Sequence, residues 1–230
     1  MMHLIRRPGI DVASMPPYAS AGVTVNVFGM TSITGPAETW FMETHDSFGS
    51  VEDVNERIRP SGVDPFTDQA PNLSNDVLAE SRSVIAVYRP WLSYRPDQAA
   101  RMLSKAHYFS VMMYRVRPGS EVEFADALRA RRDVLDTINL DRPDLAYQVV
   151  SGAPAGTYLL FAPLISLKAL DEGLARRTGA IEPRAANKAL SDAEISRGQL
   201  LFRIQPRISY VSDELAAESP EFWRNKPTPQ

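Results

Sequence analysis

The sequence predicts an α+β protein built from two βαββαβ modules in tandem, packed as an α/β barrel, with the first module lacking its first strand and helix. Three observations predict this. Val84–Ala100 matches Leu200–Ala216, with Pro90, Ser93, Tyr94, Asp97 and Ala100 falling on Pro206, Ser209, Tyr210, Asp213 and Ala216, each 116 residues on. Gly35–Met42 (GPAETWFM) matches Ala153–Leu160 (APAGTYLL) 118 residues on. Two blocks in the same order at nearly the same offset mark an internal repeat. The third observation is the order of elements in the second half, which spells the whole unit.

That unit opens at His107–Arg117, rich in aromatic and β-favouring residues and bounded by Pro118-Gly119, hence a strand. Both its faces are apolar, as in the middle of a covered sheet. Ser120 with Glu123 three residues on reads as a capping box. Behind it Phe124, Leu128, Leu135 and Ile138 recur at helical spacing. Leu145–Ser151 and Thr157–Ala162 are two strands joined by a Gly152–Gly156 hairpin turn. Ser166–Arg177 is a second helix carrying Leu167, Leu170 and Leu174, a polar helix covers about Pro183–Ile195, and the last strand is Gln199–Tyr210. The order βαββαβ is the ferredoxin-like unit.

Laid under this, the first half supplies a second strand at Val23–Gly29, a third at Thr39–Thr44, a helix at Ser50–Ile58 and a last strand at Val84–Tyr94. Four regions follow: an irregular segment 1–22, an incomplete module 23–103, a complete module 104–223 and a tail 224–230. Residues 1–22, with Pro8, Pro16 and Pro17, cannot supply a long helix. Three readings of the gap stand open: a truncated or mis-started chain, a strand from Met1–Ile5 or from a partner chain, or a wrong alignment of the first half.

The composition is ordinary for a globular protein, 44% apolar and 23% charged, with a net charge of −3. Basic residues are scattered, which argues against nucleic acid as a partner. There is no cysteine, so thiolate metal sites, disulfides and cysteine nucleophiles are out. No stretch approaches the roughly 20 apolar residues of a membrane span. The compartment is left open: cytoplasmic if the start is as given, exported or periplasmic if the N-terminus is truncated.

The segments TSITGPAETWFMETHDSFGSVEDV, VIAVYRPWLSYRPD, YFSVMMYRVRPGSEVEF, YQVVSGAPAGTYLLF and ISYVSDELAAESPEFW resemble the dimeric α/β-barrel superfamily, which includes NIPSNAP-like and antibiotic-biosynthesis-monooxygenase-like domains. More narrowly, they resemble uncharacterised bacterial proteins built from two such modules. The resemblance covers roughly 23–223, and its motifs speak for fold more than for chemistry. It implies a possible homo-oligomer and, for some relatives, a haem held by one histidine, which makes His45 and His107 candidate axial ligands. For cofactor-independent monooxygenases it implies Asn, Trp, Tyr or His around a planar substrate, here Asn139, Tyr147 and Trp223, with His107 as a further candidate.

Read from the residues alone, His45 and His107 are first strand-end side chains, and His3 lies in the irregular N-terminal segment. His3, His45 and His107 are too separated in sequence for a zinc signature, so no metal and no cofactor is expected. Tyr94 and Tyr210 could be proton donors, but a motif kept in both copies better suits the turn after each last strand. Trp40, Trp91, Tyr108, Tyr114, Tyr147 and Tyr158, with Met112 and Met113, are core or the lining of a small apolar or aromatic ligand's pocket in the barrel. The expected function is therefore non-catalytic small-molecule binding or a structural role. A cofactor-independent monooxygenase or isomerase acting on a planar aromatic substrate is the alternative, and haem binding the second.

Overall fold

A computed structural model describes residues 1–10, 22–58, 82–137, 142–177 and 184–224. Eight strands alternate with helices: β1 Met2–Pro8, β2 Val27–Ser32, β3 Glu38–Thr44, α1 Phe48–Ile58, β4 Arg82–Tyr88, α2 Pro96–Met102, β5 Tyr108–Val116, α3 Glu121–Thr137, β6 Leu145–Ser151, β7 Thr157–Leu164, α4 Lys168–Arg177, α5 Arg184–Ala193, β8 Glu194–Ile204, α6 Asp213–Ala217 and α7 Pro220–Trp223. The strands close as an antiparallel barrel in the order β1-β3-β2-β8-β5-β7-β6-β4. By contacts the chain divides into two compact units, Met1–Ala86 with Phe202–Gln230, and Val87–Leu201.

In unit 1 the first strand, expected to be missing, is present. β1 pairs with β3 from Met2↔Thr44 to Pro8↔Glu38 and with β4 from Met2↔Ala86 to Arg6↔Arg82. Its arginines are held rather than solvated. Arg6 Nη2 donates to Glu38 Oε1 at 2.8 Å and its guanidinium lies 4.8 Å from the Trp40 ring, while Arg7 lies 5.2 Å from the Phe41 ring. Pro8, which lacks an N–H, ends the strand. The long first helix has no counterpart among the described residues. Ile5, Val27, Phe41, Val54, Ile58 and Ile208 form the core beneath α1.

From β5 to β8 the elements follow in the order expected for that stretch, with shifted limits, and the boundary between the units falls inside β8 rather than at residue 223. Phe124, Ala127 and Leu128 of α3 pack with Tyr114, Tyr158 and Leu160 of the sheet and Leu190 of α5. Leu167 precedes α4 and is exposed, so it is not part of a buried stripe. Ile138 and the Leu174 side chain lie outside the described residues. The last strands end sooner than expected, at Tyr88 and Ile204. Pro90 and Pro206 instead open the 3-10 turns Pro90–Leu92 and Pro206–Ile208.

Those turns are built alike. Ala146 N–H donates to Ser93 Oγ at 2.9 Å, and Gly29 N–H donates to Ser209 Oγ at 2.9 Å. Arg89 N–H donates to the Ala146 carbonyl and Gln205 N–H to the Gly29 carbonyl, both at 2.8 Å. In each copy the serine of the repeated motif pins the turn to its strand. Tyr94 and Tyr210 hydroxyls donate to Asp136 and to the Val23 carbonyl, so neither serves as a free proton donor.

Gly29 and Ala146 are thus equivalent, and the strand registers carry the equivalence onward. Gly29 faces Phe41 in β3, and Ala146 faces Leu160 in β7. Across the next ladder, Phe41 and Glu43 face Ile5 and His3, while Leu160 and Ala162 face Met112 and Ser110. Third strands therefore correspond at an offset of 119, not at the 118 of the sequence match. The unit 2 hairpin is two residues longer, and the sequence match split the difference. One residue of slip reverses the face, so Trp40 and Tyr158, aligned by sequence, are not equivalent in the sheet.

Candidate functional site

Small side chains on the helix-covered face of unit 2 leave a cavity. Ser110 and Met112 of β5, Leu160 and Ala162 of β7, and Leu128 and Leu135 of α3 form its apolar part. Its volume is about 90 Å³. An outer recess of about 560 Å³, lined by Asn187, Ser191, Arg197 and Gly198, shares Met112, Arg131 and Gln199 with it. For scale, an apolar cavity of roughly 150 Å³ binds benzene. The inner space alone therefore takes only part of an organic ligand, and the recess must take the rest.

The polar wall is cationic. Arg131, Arg132 and Arg142 line it together with one carboxylate, Asp144. Arg131 Nη1 donates to Tyr114 OH at 3.2 Å, and Gln199 Nε2 donates to Ser110 Oγ at 2.8 Å. Arg132 Nη2 is buried without a hydrogen-bond partner, 3.8 Å from Asp144 Oδ1. Asp144 is set just before β6 by an isolated bridge with Tyr94, whose N–H donates to Asp144 Oδ1 at 3.1 Å. Burial pushes the Asp144 carboxyl up to about 6, against the pull of Arg132. Burial also raises the Tyr114 hydroxyl and lowers the Arg132 guanidinium.

In unit 1 the equivalent face carries large and ionisable side chains. Glu43 Oε2 lies 3.0 Å from His3 Nδ1 and 3.1 Å from His45 Nε2, with all three side chains at most 3% exposed. His3 Nε2 is 2.6 Å from Ser83 Oγ of β4, and His45 Nδ1 is buried without a hydrogen-bond partner. The reading that the histidines are too scattered for a ligand set is corrected for two of the three. β1–β3 pairing places His3 opposite Glu43, and His45 follows two residues later.

The residues singled out in the sequence are not gathered in one place. His107 is half-buried just before β5, its N–H donating to the Leu164 carbonyl at 2.9 Å. Tyr147 is on the β6 face opposite Ala146, its ring among Tyr88 and Phe161. Burial pushes its hydroxyl up to about 12. Trp223 belongs to unit 1 and packs on Phe28 and Phe222. Asn139 lies outside the described residues. Of the aromatics expected around a ligand only Tyr114, with Met112, lines the cavity. Trp40 is core against Phe202, Tyr158 is core against Phe124, and Trp91 is exposed. The cavity's arginines went unremarked in the sequence, although Arg131 and Arg132 sit one turn beyond Leu128 on the buried side of α3.

No protein-family model matches the sequence, and no curated protein matches it. Solved structures do. A candidate monooxygenase from Lactobacillus acidophilus NCFM aligns at TM-score 0.53 and 7% identity over 92% of this chain and 99% of its own. A second, from Fusobacterium nucleatum subsp. nucleatum ATCC 25586, aligns at 0.52 and 11% over 92% and 97%. An anthrone oxidase-like protein aligns at 0.53 and 10% over 89% and 91%. At such identity the likeness is one of fold. The chain has an α+β fold with an eight-stranded closed barrel, and its fold is similar to that of these proteins. Among the described residues no helix is long and apolar enough to cross a membrane.

Proposed function

We propose that the protein is a small-molecule-binding α/β barrel built by tandem duplication, and that unit 2 takes an organic anion with a compact apolar body. The observation that carries this is Arg132: a buried guanidinium nitrogen without a hydrogen-bond partner, beside Arg131 and Arg142, over a floor of Met112, Leu128 and Leu160. A buried cation stabilises a fold only when its donors are satisfied, and an anionic ligand would satisfy them. Benzenesulfonate tests it by calorimetric titration. Saturable binding is expected, with Arg132→Met weakening it at least tenfold, about 1.4 kcal/mol. Equal affinity for a neutral analogue such as benzamide, or an unchanged Kd in the variant, would overturn the reading.

A second reading, cofactor-independent oxygenation of a planar substrate, rests on Asp144. Its carboxyl, near 6 and beside the cavity, has the basicity of a group that removes a proton at neutral pH. Oxygen uptake with hydroquinones that Asp144→Asn abolishes would establish it; binding without uptake leaves the first. For haem, His45 is engaged with Glu43, and His107 is the remaining candidate, read by a Soret band on haem addition.

A further inference from the structure

We propose that His3, Glu43 and His45 form a binding site in unit 1 for a divalent first-row transition ion. The donor atoms lie within 4.8 Å of one another. Two ligand atoms each about 2.1 Å from a tetrahedral ion stand roughly 3.4 Å apart. His3 Nδ1 and His45 Nε2 lie 3.0 and 3.1 Å from Glu43 Oε2, so the backbone holds the donors within a few tenths of an ångström of that separation. Two imidazoles and one carboxylate suit zinc, iron or cobalt rather than magnesium or calcium, which prefer all-oxygen ligands.

The hydrogen bonding around the cluster points the same way. His3 Nε2 sits 2.6 Å from Ser83 Oγ, a partner that fixes the ring with Nδ1 towards Glu43, as outer partners do for metal-bound histidines. A cavity of about 340 Å³, lined by His45 with Asp46, Asp53 and Arg57, lies beside the cluster. In unit 2 the equivalent positions are Ser110, Ala162 and Leu164, none of them a comparable ligand.

The test uses the full chain stripped with a chelator and titrated with Zn²⁺ by calorimetry, and with Co²⁺ by visible absorption. One ion per chain is expected, with a rise in Tm that chelator reverses and a cobalt d–d band showing nitrogen ligation. Glu43→Gln should weaken binding at least a hundredfold, and Ser83→Ala about tenfold. Since Glu43→Gln could unfold unit 1, imidazole NMR signals of wild-type His3 and His45 are followed through the zinc titration as well. No saturable uptake, or uptake that leaves both sets of signals unmoved, would overturn the proposal, as would unchanged affinity in a folded Glu43→Gln variant.

Discussion

One face of the sheet is used in opposite ways by the two units. At matched positions, unit 1 carries His3, Ile5, Phe41 and Glu43 where unit 2 carries Ser110, Met112, Leu160 and Ala162. Glu43 against Ala162 is the decisive pair. A carboxylate with two histidines fills the end of the face in unit 1, and a methyl group leaves it hollow in unit 2. The turns that fasten each last strand are meanwhile alike to within 0.1 Å in the Ser93 and Ser209 contacts, since Ala146 and Gly29 both donate at 2.9 Å. Backbone fastening tolerates no variation because a buried N–H must find an acceptor. The face above it is free to diverge, and that is where function would lie.

The largest effect is expected where unit 2 has a helix with no described counterpart in unit 1. Phe124 of α3 is fully buried between the Tyr114 and Tyr158 rings, with centroids 5.2 and 5.1 Å away. Phe124→Ala should destabilise by about 3–5 kcal/mol in denaturant melts, and Leu128→Ala by about 2–5 kcal/mol. A change below about 0.5 kcal/mol would mean that α3 does not seal the face, and the contrast between a covered cavity and a filled one would fail.

Next comes the one place where the matched turns differ. A Cβ on Gly29 would lie 2.3 Å from the Ile208 carbonyl oxygen, a backbone atom that cannot swing aside. Its counterpart Ala146 already carries that methyl group, fully buried. Gly29→Ala should therefore cost about 1–3 kcal/mol through overpacking, and Ala146→Gly only about 0.5–1 kcal/mol through backbone entropy. Equal costs in the two swaps, measured by urea melts, would show that the turns are not as closely matched as their hydrogen bonds indicate.

How much of this was legible in the sequence follows from the range of each interaction. The α3 stripe at Phe124 and Leu128 and the β5 strand are local patterns of period 3.6 and 2, and both could be read directly. β1 was legible only as one of three open readings, a strand from Met1–Ile5, because nothing local selects it until Glu38, Trp40 and Phe41 are known to lie alongside. His3 and Glu43 meet across the β1–β3 ladder, 40 residues apart, so no spacing rule reaches them. The cavity is legible only as a lack of volume: it exists because Ser110 and Ala162 are small on adjacent strands, and smallness carries no signal in one sequence.

The smallest effect concerns the sole carboxylate among the cavity's polar lining. Asp144 is held by the Tyr94 N–H and faced by Arg132 and Arg131, and burial pushes its carboxyl up to about 6 from 3.8. Because the folded value is raised, Asp144's contribution to stability is fully present below about pH 4 and is lost as pH rises through 6. Ligand binding should follow the same window. Above pH 6 the carboxylate offsets part of the arginine charge and repels an incoming anion; below it the neutral acid does neither. Benzenesulfonate, which stays ionised throughout, should therefore bind a few-fold more tightly at pH 5 than at pH 7.5. Asp144→Asn keeps a carbonyl oxygen for the Tyr94 N–H and removes the titration, so its affinity should be level across that range. A pH profile that survives the substitution would locate the titrating group elsewhere, and would remove the one feature that makes the unit 2 cavity switchable while leaving its arginines in place.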